Sequence, residues 1–145
     1  MKKKRSDRQE AIRDIVRNEG VRTQRALVDS LRERGFTCTQ ATISRDIAEM
    51  GLCKLPTEGT YVLAEDLHLQ RMVHDLVVDV RRANNLVVIH VSTGAAQVVA
   101  DALDSAELSD VLGSVAGDDT ILVITSSNEE GEKFEHLVER LRSGA

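Results

Sequence analysis

Residues 115–124 read VAGDDTILVI, two adjacent carboxylates, Asp118 and Asp119, on the lip of an apolar run with Gly117 directly before them. Paired carboxylates hold cations. A metal ion asks for several oxygens converging at about 2.0 to 2.6 Å, and a guanidinium asks for planar, bidentate acceptors. In a strand, successive side chains point to opposite faces, so the two should not aim at one point unless Gly117 bends the chain or different subunits share one ligand. Uncompensated carboxylates at an apolar subunit junction would repel and be costly to desolvate, and a bound cation would relieve both. Composition and spacing do not choose between metal and guanidinium.

Two further stretches carry polar groups at helical spacing. In AAQVVADALDS, residues 95–105, Ala96, Val99, Ala100 and Leu103 form a core stripe, while Gln97, Asp101 and Asp104 recur at i, i+4 and i+7 on another face. One face therefore offers an amide and two carboxylates; standing alone, it would read as a solvated acidic face. In TQATISRDIAEMG, residues 39–51, Ile43, Ile47 and Met50 recur at i, i+4 and i+7 toward a core. The opposite side centres on Arg45, with Ser44 and Ala41 beside it and Ala48 one turn on. Small residues there let a helix sit deep in a major groove, where Arg45 can reach guanine bidentately and Gln40 can read adenine.

The elements that position these residues follow from local signals. Ser6 and Gln9 have capping-box spacing before the stripe Ala11, Ile12, Ile15 and Val16, which predicts a first helix from about Asp7 to Asn18 stopping at Gly20. Thr23 caps a second helix with Ala26, Leu27 and Leu31 on one face, ended by Gly35, and a third begins near Thr39. CKLPTEGTYVL then reads as a β-hairpin turning at Thr57, Glu58 and Gly59, with Pro56 at the end of an edge strand. Three helices and a hairpin make a winged helix-turn-helix. Lys2, Lys3, Lys4, Arg5 and Arg8 supply a basic arm for phosphate, and Arg22 and Arg25 flank a helix N-terminus suited to the same contact.

Residues 65–74 are polar and mixed and read as a linker, with a helical part, between residues 1–64 and 75–145. Beyond it, LVVDVRR and LVVIHV flank the turn-like ANN, and the order continues as helix, strand, strand and helix. The last helix, about EGEKFEHLVERLR, places Phe134, Leu137, Val138 and Leu141 at core spacing, and His90 within its strand reads as a hydrogen-bonded structural residue. The fold class is α+β in two domains, a winged helix-turn-helix followed by a two-layer β-β-α-β-β-α domain.

Composition narrows the function. Residues 1–64 hold 13 Lys/Arg against 9 Asp/Glu, a formal +4, and residues 65–145 hold 6 against 15, a formal −9, within a total of −5. That asymmetry suits a front half facing nucleic acid and a back half with another task. With an aromatic content of 2%, any core is built from small aliphatic side chains, and oligomerisation is one way to stabilise it. Cys38 and Cys53 form neither a disulfide framework nor a metal-ligand spacing, and no run approaches the roughly 18 apolar residues of a membrane span. A cytoplasmic location is expected. No nucleophile, base and orienting group gather in sequence as a hydrolytic set would, so an enzyme is not expected.

At this point the residues resemble a family. TQATISRDIAEMG resembles the recognition helix of bacterial arginine repressors, and LVVIHVSTGAAQVVADALDS followed by VLGSVAGDDTILVI resembles their ligand-binding domain, over about residues 7 to 141. The resemblance implies a transcriptional regulator of arginine biosynthesis or catabolism genes that binds double-stranded operator DNA as a hexamer, a dimer of trimers centred on the C-terminal domains. L-Arginine is the implied corepressor, bound between trimers, with no metal. By matching position, Asp118 and Asp119 would hold the guanidinium across that interface, Gln97 and Asp104 would fix the amino-acid end, and Gln40, Thr42, Ser44 and Arg45 would contact the operator. No role carries over to Asp101, and Thr93 stands where the family commonly has proline. Two other readings remain beside it: a winged-helix regulator answering to another amino acid, and a metal-dependent enzyme using Asp118 and Asp119.

Overall fold

The computed structural model describes residues 4–144, so Lys2 and Lys3 of the expected basic arm lie outside the described residues. The chain divides into two compact units between Ala64 and Glu65. The first unit contains α1 (Arg5–Glu19), α2 (Gln24–Glu33), α3 (Gln40–Met50) and an antiparallel hairpin of β1 (Leu52–Lys54) and β2 (Tyr61–Leu63). Its start differs from the expected Ser6–Gln9 box: Lys4 is the N-cap, and its backbone N–H donates to the Asp7 carboxylate at 3.1 Å, which places Ser6 inside the helix. An acidic side chain three residues in can reach back to the cap amide without help from a hydroxyl at Ser6. Thr23 and Thr39 cap α2 and α3 as expected, accepting from the backbone N–H of Ala26 at 3.0 Å and Thr42 at 3.3 Å.

Ile12, Ile15, Leu27, Leu31, Ile43 and Leu63 are fully buried together, one or two from each helix and the last from the hairpin. α3 ends at Gly51, whose left-handed φ of 67° turns the chain directly into β1. The Tyr61 N–H donates to the Val21 carbonyl at 2.8 Å, fastening the hairpin to the turn between α1 and α2. These are the parts of a winged helix-turn-helix.

The second unit contains α4 (Ala64–Leu76), β3 (Val77–Ala83), β4 (Leu86–Val91), α5 (Ala96–Ser105), β5 (Val111–Ala116), β6 (Thr120–Thr125) and α6 (Asn128–Ser143). The stretch 65–74, expected as a linker with a helical part, is helical throughout, and its Leu69 and Val73 are buried in this unit's core. The four strands form one antiparallel sheet in the order β3-β4-β6-β5. Val87, Ile89, Val91, Ile121 and Val123 point into the layer of helices, where Val99, Leu103, Phe134 and Val138 meet them. Of the four apolar residues expected to anchor α6, Phe134 and Val138 are buried, while Leu137 and Leu141 are half-buried. Gly131 is required there: a Cβ would lie 2.7 Å from the Asn84 carbonyl oxygen, so only glycine lets α6 approach the β3–β4 turn this closely.

Among the described residues, the helices of this unit bury one sheet face and leave the opposite one partly exposed. Strand register places Val115, Leu122 and Val88 side by side on it, with Ile124 and Leu86 paired beyond them. Val115 is 65% exposed, and Leu112, at the bulge between Val111 and Gly113, is 70% exposed. The architecture is α+β in two domains.

Candidate functional site

The first candidate surface is the outward side of α3. Gln40, Ala41, Ser44, Arg45 and Ala48 are exposed, whereas Ile43 is fully buried and Ile47 and Met50 pack partly against the core. The wheel drawn from sequence is therefore the wheel of the structure. Thr42 is half-buried, and its hydroxyl lies 3.0 Å from that of the capping Thr39, so it sits at the edge of the exposed side. On the hairpin, the Lys54 ammonium lies 5.2 Å from the centre of the Tyr61 ring, which steadies a cation on the wing.

Sequence reasoning missed what stands behind this helix. Asp46 is 2% exposed; its Oδ2 accepts from Arg8 Nε at 2.6 Å, and its Oδ1 accepts from Arg8 Nη2 at 3.1 Å and Gln9 Nε2 at 3.2 Å. Burial pushes the Asp46 carboxyl pKa up, but the hydrogen bonds from Arg8 and Gln9 outweigh it and hold the group below the usual carboxylate range. One turn on, Glu49 pairs with Arg5 and accepts from Gln9. Arg5 and Arg8, expected to grip phosphate, are thus engaged with α3. One sign was available: on the wheel Asp46 lies next to Met50 at the edge of the apolar stripe, about 60° from Ile43, and a carboxylate turned toward a core calls for a cation.

The second candidate site is the connection between β5 and β6. Asp118 and Asp119 are not strand residues. Ala116 pairs with Ile121 and the Gly117 N–H donates to the Thr120 carbonyl at 2.8 Å, so the two carboxylates form the tip of a tight turn, where strand alternation does not apply. Gly117 does not have left-handed φ, and a Cβ there would meet only the Thr120 carbonyl at an ordinary 3.6 Å. The bend comes from the hairpin rather than from that glycine's freedom.

Backbone bonds fasten this turn to two neighbouring elements. The Val91 N–H, at the end of β4, donates to the Asp119 carbonyl at 2.8 Å, and the Ala96 N–H, at the start of α5, donates to the Asp118 carbonyl at 3.2 Å. Gln97 adds a side-chain bond, its Nε2 donating to the Ala116 carbonyl at 3.2 Å. With their backbone so held, the Asp118 and Asp119 side chains remain exposed. Asp119 Oδ1 accepts from the Thr120 hydroxyl at 3.0 Å, and among the described residues no cationic side chain pairs with either carboxylate.

The structure brings Gln97 to the acidic turn but leaves Asp104 apart. Asp104 is seven residues further along α5, about 10 Å up the helix axis and away from the turn. It is exposed, as is Asp101 between them. His90, expected to be hydrogen-bonded, lies on the uncovered sheet face with its Nδ1 2.6 Å from Asp79 Oδ1, and that bond holds the Asp79 carboxyl below its usual range. Among the described residues, no three His, Cys, Asp or Glu side chains gather as a metal-binding group, and no helix is long and apolar enough to cross a membrane.

Comparison with known proteins adds the family. The profile of the arginine repressor DNA-binding domain matches residues 3–69, and that of the arginine repressor C-terminal domain matches residues 73–142. The chain is 41% identical to the arginine repressor of Caldicellulosiruptor saccharolyticus over 95% of each chain. It is 42% identical to that of Heliobacterium modesticaldum, over 93% of this chain and 97% of the relative, and 40% identical to that of Carboxydothermus hydrogenoformans, over 88% and 91%. The two profiles together span most of the chain and these relatives match 88% to 95% of it, so the chain belongs to the arginine repressor family, a family of transcriptional repressors and not of enzymes.

Proposed function

We propose that this protein is an L-arginine-dependent transcriptional regulator, acting in the cytoplasm, that binds operator DNA as a hexamer and controls genes of arginine metabolism. The observation that carries the reading is the Asp118–Asp119 turn: two exposed carboxylates on a backbone fastened by hydrogen bonds, with no cationic side chain paired to them among the described residues. Carboxylates give the planar, bidentate acceptors that a guanidinium matches. Gln97, bonded beside the turn, and Asp104, two helical turns away, are assigned to the ligand's amino-acid end. Their separation favours a site in which one subunit supplies the turn and another supplies part of α5.

The uncovered sheet face supports assembly. Leu112, Val115, Leu86, Leu122, Ile124 and Val88 give an apolar patch of a kind that marks subunit contacts. Trimers formed through the C-terminal domains and paired into a hexamer would cover it, with arginine neutralising acidic charge where trimers meet. Operator contact is assigned to Gln40, Thr42, Ser44 and Arg45. Linkage then makes arginine tighten operator binding and operator tighten arginine binding by the same factor.

Light scattering and calorimetry on the full chain test this together. The expected result is a hexamer that binds L-arginine and gains operator affinity when it does. Binding of Mg²⁺ without binding of L-arginine would overturn the ligand assignment, and an arginine-loaded trimer would overturn the assembly.

A further inference from the structure

The residues assigned to operator contact present themselves correctly only if α3 is fixed in rotation about its own axis. Apolar packing alone holds a helix weakly against rotation, because burial is non-directional. Side-chain tips on a helix stand about 5 to 6 Å from its axis, so a turn of roughly 15° shifts a tip by about 1.5 Å. That is enough to break a two-point hydrogen bond to a base edge. A directional contact on the back of α3 would prevent it.

Asp46 makes such a contact. Both its oxygens are occupied, by Arg8 Nε at 2.6 Å on one and by Arg8 Nη2 at 3.1 Å and Gln9 Nε2 at 3.2 Å on the other. The guanidinium fork and the carboxylate share a plane-to-plane geometry that a single point charge does not impose. Asp46 stands roughly 60° around the helix from the buried Ile43 and about 100° from Arg45. The apolar anchor and the ionic anchor therefore lock α3 from two directions, and both lie away from the exposed side. Arg5, which pairs with Glu49 one turn further on, braces the same helix from the same end of α1.

We infer that Arg8 and Asp46 are a positioning pair for operator recognition, and that Arg8 acts by orienting the reading side of α3 rather than by contacting phosphate. The inference rests on the assignment of that side to the operator, so the test must separate the two. Full-length protein is titrated with a duplex selected by the unaltered protein from a random-sequence pool, and with a scrambled duplex of equal composition, over a series of salt concentrations. The ratio of the two affinities is the readout, because partial unfolding lowers both affinities alike and leaves the ratio in place.

Arg8→Lys keeps the charge and removes the fork; it is expected to lower the ratio at least tenfold without changing the slope of log affinity against log salt. The exchange variant, Arg8→Asp with Asp46→Arg, is expected to recover part of the ratio. A salt slope shallower by about 0.9, with equal loss on both duplexes, would mean that Arg8 neutralises a phosphate and would overturn the inference. An unchanged ratio with a lowered melting temperature would also overturn it, leaving the pair a stabilising contact only. Arg45→Ala, measured in parallel, tests the underlying assignment: if it leaves the ratio intact, α3 is not the reader, whatever Arg8→Lys does.

Discussion

Asp46 and the pair Asp118–Asp119 are the same functional group in opposite circumstances. Asp46 is buried, and three hydrogen bonds from α1 fill its acceptor sites. Asp118 and Asp119 are exposed, their backbone is held by β4 and α5, and among the described residues the one side-chain partner of either is the neighbouring Thr120 hydroxyl. A carboxylate whose acceptor sites are filled by its own chain belongs to the architecture. One held rigidly with its acceptor sites open is available to a ligand.

The sharpest way to break this contrast is to remove each carboxylate in turn. Asp46→Ala strands the Arg8 guanidinium, 18% exposed, and is expected to destabilise the first unit by about 3 kcal/mol, at the low end for a broken buried pair. Chemical denaturation of the variant would show it. Asp119→Asn should leave stability within about 0.5 kcal/mol, as for most exposed positions. Its arginine affinity should instead fall by about tenfold to a hundredfold, one charge-assisted hydrogen bond being worth about 1.5 to 3 kcal/mol. Calorimetry that finds arginine affinity unchanged would remove the central claim about the turn.

Changing the ligand asks the same question from the other side. L-Citrulline is neutral where arginine is charged, so it should bind roughly ten times more weakly or worse. Equal affinities for the two would contradict a carboxylate–guanidinium contact.

Acid should weaken the buried pair. The Asp46 carboxyl titrates below its unfolded-state value, so the stability it contributes is present at neutral pH and is lost as pH falls from about 4 through the folded-state value. Denaturation midpoints of the native protein should therefore drop more between pH 5 and 3 than those of Asp46→Asn. The smallest effect is expected at Asp101, exposed on α5 with no assigned partner. Asp101→Asn should change arginine affinity less than twofold, and a larger loss would add this residue to the ligand site.

Much of this arrangement was legible from local pattern. The threonine caps, the glycine stops and the stripe Ile43, Ile47, Met50 set the direction of α3 before any tertiary contact is known. In residues 65–74 the polar content points to a linker, while Leu69, Val73 and Leu76 at helical spacing carry a weaker signal for the helix that extends through the whole stretch. Strand alternation stops short of Asp118 and Asp119, because Gly-Asp-Asp between two extended runs is itself turn chemistry.

By itself the sequence determined which residues each helix and strand presents outward, because those depend on periods of 3.6 and 2 along the chain. Only the tertiary structure decided which carboxylates stay open. Arg8 and Asp46 are 38 residues apart and meet because α1 packs beside α3, whereas no cationic side chain is folded against the β5–β6 turn among the described residues. Pairing of charges is a long-range property, fixed by which elements pack together and invisible to any local period.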